Sequence, residues 1–367
     1  MLRKTIIMLG LLLLIFSVPS EARNLYYDFE YGAYYESNIY HAYADSDHVG
    51  SMLNYLDGAV YYNRELSEKL EYRLGGIAEF DLYPNYSNRN KSSFGVAFNT
   101  TYSFNRRNRF EFDISLASRD KDLTDDSGQS LARTLKKTVF DVEGTYKNRY
   151  KKLWSEFAVA YSNDNYDETD VLTSYDYSSL DLKAKFSYHF SRRFKARLYL
   201  GSLKRDYKER YTYAVVTGVR AGGRLGIREY RENSVKLNLE YDFYKNNNID
   251  LETEYTQRNE NYENFYGYNQ WQHKLTFTIY PARENKTKIS FRFKNKDYEN
   301  YHTANTRLIS PFERVSIDYA DFQIESEQHI GRNYYLFGFI QNYNKVSNDP
   351  DFDYLNSMYG LGIKINL

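Results

Sequence analysis

The sequence predicts an all-β chain: a transmembrane antiparallel up-and-down β-barrel of about 16 strands (roughly 14–18), with short periplasmic turns and long extracellular loops. Three observations in the 367 residues predict it. Apolar and polar residues alternate with a period of two from Leu25 to Leu367. The connections between the alternating runs are short and long by turns. Aromatic residues are abundant, with 41 Tyr and 23 Phe against 2 Trp, and such side chains favour strands and the membrane–water boundary.

The alternation separates two chemistries. Leu70, Tyr72, Leu74, Gly76, Ala78, Phe80 and Leu82 share one phase, while Glu71, Arg73, Glu79 and Asp81 share the other. Phe94, Val96, Phe98, Thr100, Tyr102 and Phe104 alternate with small and polar residues. Val235, Leu237, Leu239, Tyr241 and Phe243 alternate with Lys236, Asn238, Glu240 and Asp242. A strand with one face in hydrocarbon and one in a wet lumen has this pattern. It also reconciles a mean hydropathy of −0.74 with membrane insertion, because lumenal residues offset lipid-facing ones.

Short connections are expected at Asn63–Ser67, Asn105–Asn108, Lys147–Lys151, Ser191–Arg193, Arg231–Asn233, Pro281–Asn285 and Glu327–Asn333. Long ones are expected near 36–54, 83–92, 120–136, 164–177, 205–216, 246–267, 298–311 and 346–354. Pro84, Pro281, Pro311 and Pro350 fall in or beside connections, as a residue without an N–H requires. Two stretches fit less well. Ile249, Leu251, Thr253 and Tyr255 alternate inside 246–267, which suggests a hairpin extension or a further strand pair. Arg314–Ile324 changes phase between Tyr319 and Phe322, which suggests a β-bulge.

Residues 1–22 read as a signal peptide: Arg3 and Lys4, then the short apolar run Ile6–Val18, then Ser20-Glu21-Ala22. Residues 23–367 form the barrel domain. Lysine plus arginine and aspartate plus glutamate both number 49, which gives no bulk attraction to nucleic acid. Cysteine is absent, which excludes disulfides and thiolate metal sites.

Tyr359, Leu361, Ile363, Ile365 and Leu367 form an apolar alternating face that ends the sequence. This resembles the closing strand of bacterial outer-membrane β-barrels of the porin-like kind. Such barrels usually end in Phe or Trp, and here Leu367 stands there. The resemblance implies insertion by the barrel-assembly machinery and partners in outer-membrane lipid and lipopolysaccharide.

The lumenal phase carries a charge asymmetry. Early strands offer Glu71, Glu79, Asp81, Glu111, Asp113, Asp141, Glu143 and Glu156 as an acidic wall. Later strands offer Lys183, Lys185, Lys195, Arg197, Arg220, Arg224, Arg228, Lys236, Lys274, Lys288, Arg292 and Lys294 as a basic wall. Opposed walls would set up a transverse field favouring polar or charged solutes. The same residues read equally as lumenal salt bridges that fill and stabilise the barrel.

Asp45-Ser46-Asp47-His48, Asp125-Asp126 and the acidic run 349–353 lack the spacing of a calcium loop and read as solvated loops. His41, His48, His189, His273, His302 and His329 fit no metal-ligand pattern, and no hydrolase or nucleotide motif occurs. His273 beside Trp271 reads as part of an interfacial girdle, as do the pairs Tyr26-Tyr27, Tyr34-Tyr35 and Tyr61-Tyr62. No cofactor, metal or catalytic residue is expected. The expected function is a channel, either for small polar solutes or for an exported polysaccharide, with 120–136 or 246–267 as inward loops. The alternative is a non-conducting structural or surface-interaction barrel.

Overall fold

The computed structural model describes residues 24–38, 49–86, 89–124, 130–167, 176–216, 219–244, 247–261, 266–282, 284–302, 314–331, 333–349 and 353–366. The strands are β1 (Leu25–Glu36), β2 (Ser51–Ser67), β3 (Leu70–Leu82), β4 (Lys91–Asn105), β5 (Asn108–Thr124), β6 (Ser130–Tyr150), β7 (Leu153–Tyr166) and β8 (Tyr177–His189). There follow β9 (Phe194–Val216), β10 (Val219–Tyr244), β11 (Asn247–Glu260), β12 (Tyr268–Ala282), β13 (Asn285–His302), β14 (Arg314–Gly331), β15 (Tyr334–Ser347) and β16 (Tyr354–Asn366). Each pairs antiparallel with its sequence neighbours. The ring closes where β1 meets β16, from Asp28 opposite Asn366 to Glu36 opposite Met358. No edge is left open, which a sheet in hydrocarbon requires. The proposed signal peptide and Leu367 lie outside the described residues.

The two phases separate outside from inside. Outer runs are Phe94, Val96 and Phe98 on β4; Leu180, Leu182, Ala184 and Phe186 on β8; Val235, Leu237, Leu239 and Tyr241 on β10; and Tyr359, Leu361 and Ile363 on β16. None is charged. Val96, Val159 and Leu361 are 58%, 53% and 66% exposed. Such a continuous apolar exterior is unsuited to water and suited to lipid. Trp271 and His273 lie on this outer face, and the His273 ring shares a 3.1 Å hydrogen bond with Thr253.

Three expectations are corrected. The chain does not turn at Arg231–Asn233: β10 runs unbroken, paired through this stretch with β9 on one side and β11 on the other. The connection that follows is 245–246, and β11 occupies most of the supposed loop 246–267. The strand number of 16 therefore holds although one expected turn and one expected loop were wrong. Second, the pairing does not slip between Tyr319 and Phe322; the one register irregularity of this stretch lies at its start, between Arg314 and Ser316. From Ser316 to Glu327 the pairing of β14 with β13 shows no register shift. Val315, Ile317 and Tyr319 change character because they face inward, where Val315 and Ile317 pack with Tyr268 and Tyr298 in a buried cluster against Tyr319. Third, the two candidate inward loops are mostly strand, and residues 125–129 and 262–265 within them lie outside the described residues. Strands β5 and β6 extend into 120–136, and β11 is part of the wall.

The β9–β10 hairpin outlasts the apolar belt. Its outward-facing residues there are polar: Lys204 lies 2.9 Å from Asp206 and 3.9 Å from Glu229. Beyond the bilayer both faces of a strand meet water, so the contrast between phases disappears.

Candidate functional site: the lumen

The lumenal phase is even-numbered on β1 and β16, odd-numbered on β2 to β6, and follows the pairing elsewhere. Of the acidic residues singled out, Glu71, Glu79 and Asp81 stand on β3, Glu111 and Asp113 on β5, Asp141 and Glu143 on β6 and Glu156 on β7. Of the basic residues, Lys183 and Lys185 stand on β8, Lys195 and Arg197 on β9, Arg220, Arg224, Arg228 and Lys236 on β10, Lys274 on β12, and Lys288, Arg292 and Lys294 on β13. In the ring, β5 stands eight places from β13. The side chains of Arg220 and Arg224 lie outside the described residues.

Many of these charges have a partner on a neighbouring position of the wall. Lys195 lies 2.9 Å from Glu240, which also accepts from Arg197. Arg292 lies 2.6 Å from Asp321, Lys236 3.6 Å from Glu252, and Lys288 3.8 Å from Glu325. Lys185 lies 3.7 Å from Glu156, Lys183 2.9 Å from Asp181, and Arg228 pairs with Glu260. Glu240, Glu252, Glu260, Asp321 and Glu325 were not among the residues singled out from sequence. They place carboxylates beside the cations, which weakens any field across the lumen.

Two regions place like charges abreast. Glu30, Asp57 and Glu79 stand abreast on β1, β2 and β3, and Tyr55 donates to Glu30 at 3.0 Å. Glu30, Tyr55 and Asp81 border a cavity of about 540 Å³ that reaches Lys288 and Glu325. Lys274 and Arg292 stand abreast on β12 and β13, with Lys294 two residues beyond. Alternation along one strand did not reveal these rows, because it says nothing about register between strands.

A second arrangement was missed altogether. Across nine consecutive strands the lumen wall alternates tyrosine and cation. Arg205 of β9 stands 4.0 Å from the ring of Tyr177 on β8 and 5.1 Å from Tyr230 on β10. Arg258 of β11 stands 4.0 Å from Tyr230 and 4.9 Å from Tyr268 on β12. On β13 Lys296 lies 4.0 Å from Tyr268, and Lys294 lies 4.0 Å from Tyr319 on β14. Lys345 of β15 lies 6.0 Å from Tyr319 and 5.3 Å from Tyr354 on β16. Tyr230, Tyr268 and Lys345 are buried. A desolvated cation on a tyrosine face contributes about 2 kcal/mol, so this belt is a packed, stiff half-ring toward the long-loop end. Tyr34 and Tyr61 likewise face inward while Tyr35 and Tyr62 face outward, so only alternate members of the tyrosine pairs can serve an outer girdle.

Of the loop carboxylates, Asp45, Asp47, Asp125, Asp126 and Asp351 lie outside the described residues. Asp349 is buried, and Asp353 accepts from the Ser347 backbone N–H. Among the described residues no three His, Asp or Glu side chains gather as a metal site would require.

No protein-family model matches the sequence, and no curated protein is significantly similar to it. Solved structures do match over nearly the whole length. The outer membrane protein opdK from Pseudomonas aeruginosa aligns with a TM-score of 0.53 at 8% identity, covering 94% of this chain and 99% of its own. A BenF-like porin from Pseudomonas fluorescens Pf-5 aligns at 0.51 and 9%, covering 94% and 98%. OccAB3 from Acinetobacter baumannii aligns at 0.51 and 8%, covering 94% and 99%. The chain therefore has the closed, antiparallel barrel fold of bacterial outer-membrane porins. At these identities the likeness is one of fold.

Proposed function

We propose that this protein is a channel of the bacterial outer membrane that passes small polar or charged solutes. The observation that carries this reading is a closed ring of 16 strands with an apolar outside and a charge-lined inside. Barrels of about this size enclose an aqueous passage unless something fills it. The row of Lys274, Arg292 and Lys294, set six to eight strands from Glu111, Asp113, Asp141 and Glu143, supports a transverse field at mid-lumen, weakened where Asp321 answers Arg292. In this reading residues 1–22 direct export, the assembly machinery inserts the barrel, and lipid and lipopolysaccharide surround it. The reading assigns the lumen transport and no catalysis.

The test is conductance in planar bilayers. The purified barrel should open in discrete steps, and replacing Lys274, Arg292 and Lys294 by Gln should shift selectivity away from anions. A folded barrel that never conducts removes the channel reading. The second reading, a filled scaffold, is favoured by the burial of Tyr268, Tyr298, Val315, Ile317 and Lys345 in the lumen. It predicts that the same triple variant loses stability and changes nothing else.

A further inference from the structure

The short-turn mouth of the barrel is strongly basic on one side. Three successive connections there read Arg106-Arg107, Lys151-Lys152 and Ser191-Arg192-Arg193, and the strand ends beside them add Arg109, Lys147, Arg149 and Lys195. Arg106, Arg107 and these strand ends, with the β2–β3 turn and the ends of β7 and β8, enclose a cavity of about 940 Å³, larger than the lumenal cavity beside Glu30. Its lining holds nine lysines and arginines and two carboxylates, Glu68 and Glu156. Neighbouring carboxylates answer some of this charge. Glu111 takes Arg109 and Lys147, at 2.9 and 2.5 Å, and Glu240 takes Lys195 and Arg197. Arg106, Arg107 and Arg149 have no carboxylate within 4 Å among the described residues, and all three are exposed. The mouth therefore has an excess of positive charge that the fold itself leaves unneutralised.

A second observation points to the kind of ligand. Trp154 shares the inward phase of Glu156, since Arg149 stands opposite Trp154 and Lys147 opposite Glu156. It is thus turned to the mouth, unlike Trp271 on the outer face. It is 44% exposed, with the Arg149 guanidinium 4.5 Å from its ring and the His189 ring 6.3 Å away. An inward tryptophan does not anchor the barrel in lipid. It offers a flat apolar platform rimmed by guanidinium groups. Small inorganic anions use the cations and have no use for the platform. A pyranose ring bearing a carboxylate uses both: its C–H face lies on the indole, and its carboxylate meets arginine in a two-bonded pairing. Cations on adjacent strands are roughly 4.8 Å apart, which spreads them along a chain of such sugars.

We infer that this mouth is a capture site for an acidic oligosaccharide, with Trp154 stacking a sugar ring and Arg106, Arg107 and Arg149 holding carboxylates. In barrels of this architecture the short-turn end faces the periplasm, so the chain would be taken up from inside the cell envelope. This rests on the channel reading for its purpose, though the binding itself does not require conduction.

The test uses the full-length protein folded in detergent and carrying Trp271→Phe, so that Trp154 is the single tryptophan reporting. Titration with a long oligogalacturonate should change its fluorescence saturably. Replacing Arg106, Arg107 and Arg149 by Gln should weaken binding at least tenfold, while the heat-dependent mobility of the folded barrel on SDS gels stays unchanged. Trp154→Ala, followed by calorimetry, should weaken it similarly. A neutral maltooligosaccharide of equal length should not bind. Three outcomes overturn the inference: no binding, inorganic phosphate competing at equal charge concentration, or a single-stranded oligonucleotide binding more tightly. A barrel that conducts but fails these titrations sinks this site alone. One that binds but never conducts keeps the site and sinks the channel.

Discussion

The guanidinium of Arg258 lies 4.0 Å from the ring of Tyr230 on the neighbouring strand, inside the barrel. Both side chains belong to the belt that runs from Tyr177 to Tyr354, and Arg258 also reaches Glu232 at 3.4 Å, which accepts from Tyr268 at 2.8 Å. Arg258→Leu removes contacts to two rings and leaves Glu232 without its cation. We expect a loss of about 2 kcal/mol or more, read as a lower temperature for the mobility shift of the folded barrel in SDS. Lys in its place should restore part of the loss. Unchanged stability would show that the belt does not hold the outer lumen together.

Ile317 tests the register of β14. It is 1% exposed within the cluster of Tyr268, Tyr298 and Val315. Ile317→Ala should cost about 2–4 kcal/mol, as large-to-small changes in packed surroundings do. Ile324→Ala, on the lipid-facing phase of the same strand, should cost clearly less. Equal effects would mean that the phase change expected near Tyr319 is real.

The exterior predicts a depth-dependent penalty. Leu182 sits midway along the outer face of β8 and is 46% exposed. Leu182→Arg should destabilise the barrel in lipid by about 2–4 kcal/mol, while Ser178→Arg near the long-loop end should cost about 1 kcal/mol or less. Equilibrium unfolding from liposomes measures both. Equal costs would place Leu182 outside the hydrocarbon.

The seam between β1 and β16 depends on small residues. A Cβ on Gly360 would stand 2.7 Å from the Ala33 carbonyl oxygen, and one on Gly362 would collide with the Tyr31 carbonyl. Gly360→Val and Gly362→Val should prevent closure, so that no heat-modifiable species forms. Gly58→Ala should be accepted, since its nearest neighbours are 4.0 Å away. A cysteine pair at Ala33 and Leu361, which are partners in register, should link the first and last strands. Absence of that link in the wild-type background would contradict a closed ring.

The fold was legible because lipid imposes one rule on every strand: the outer phase must be apolar. That rule made Phe94 to Phe104, Val235 to Phe243 and Tyr359 to Ile365 readable from sequence alone. It failed at Arg231–Asn233, where β10 rises out of the apolar belt and both faces are polar, so a paired strand resembles a turn. It failed again at Ile317, where an inward apolar residue mimics a slip of phase. The lumen was less legible. Acidic and basic residues could be given a phase, but their partners depend on register, so the pairing of Arg197 with Glu240 and of Arg292 with Asp321 was invisible. The tyrosine–cation belt escaped for the same reason, since its members are neighbours across strands and are far apart in sequence. A search for lumenal Tyr and Arg at equal height on successive strands, such as Arg205, Tyr230 and Arg258, would have been the only sequence signal for it.

The central claim is that each strand has one side in lipid and one in water. The native chain contains no cysteine, so single cysteines placed from Leu180 to Phe186 along β8 report one position each. In liposomes, a membrane-impermeant thiol reagent small enough to enter the lumen should label positions 181, 183 and 185 and spare 180, 182, 184 and 186. Uniform labelling, or protection of the odd positions, would contradict the account.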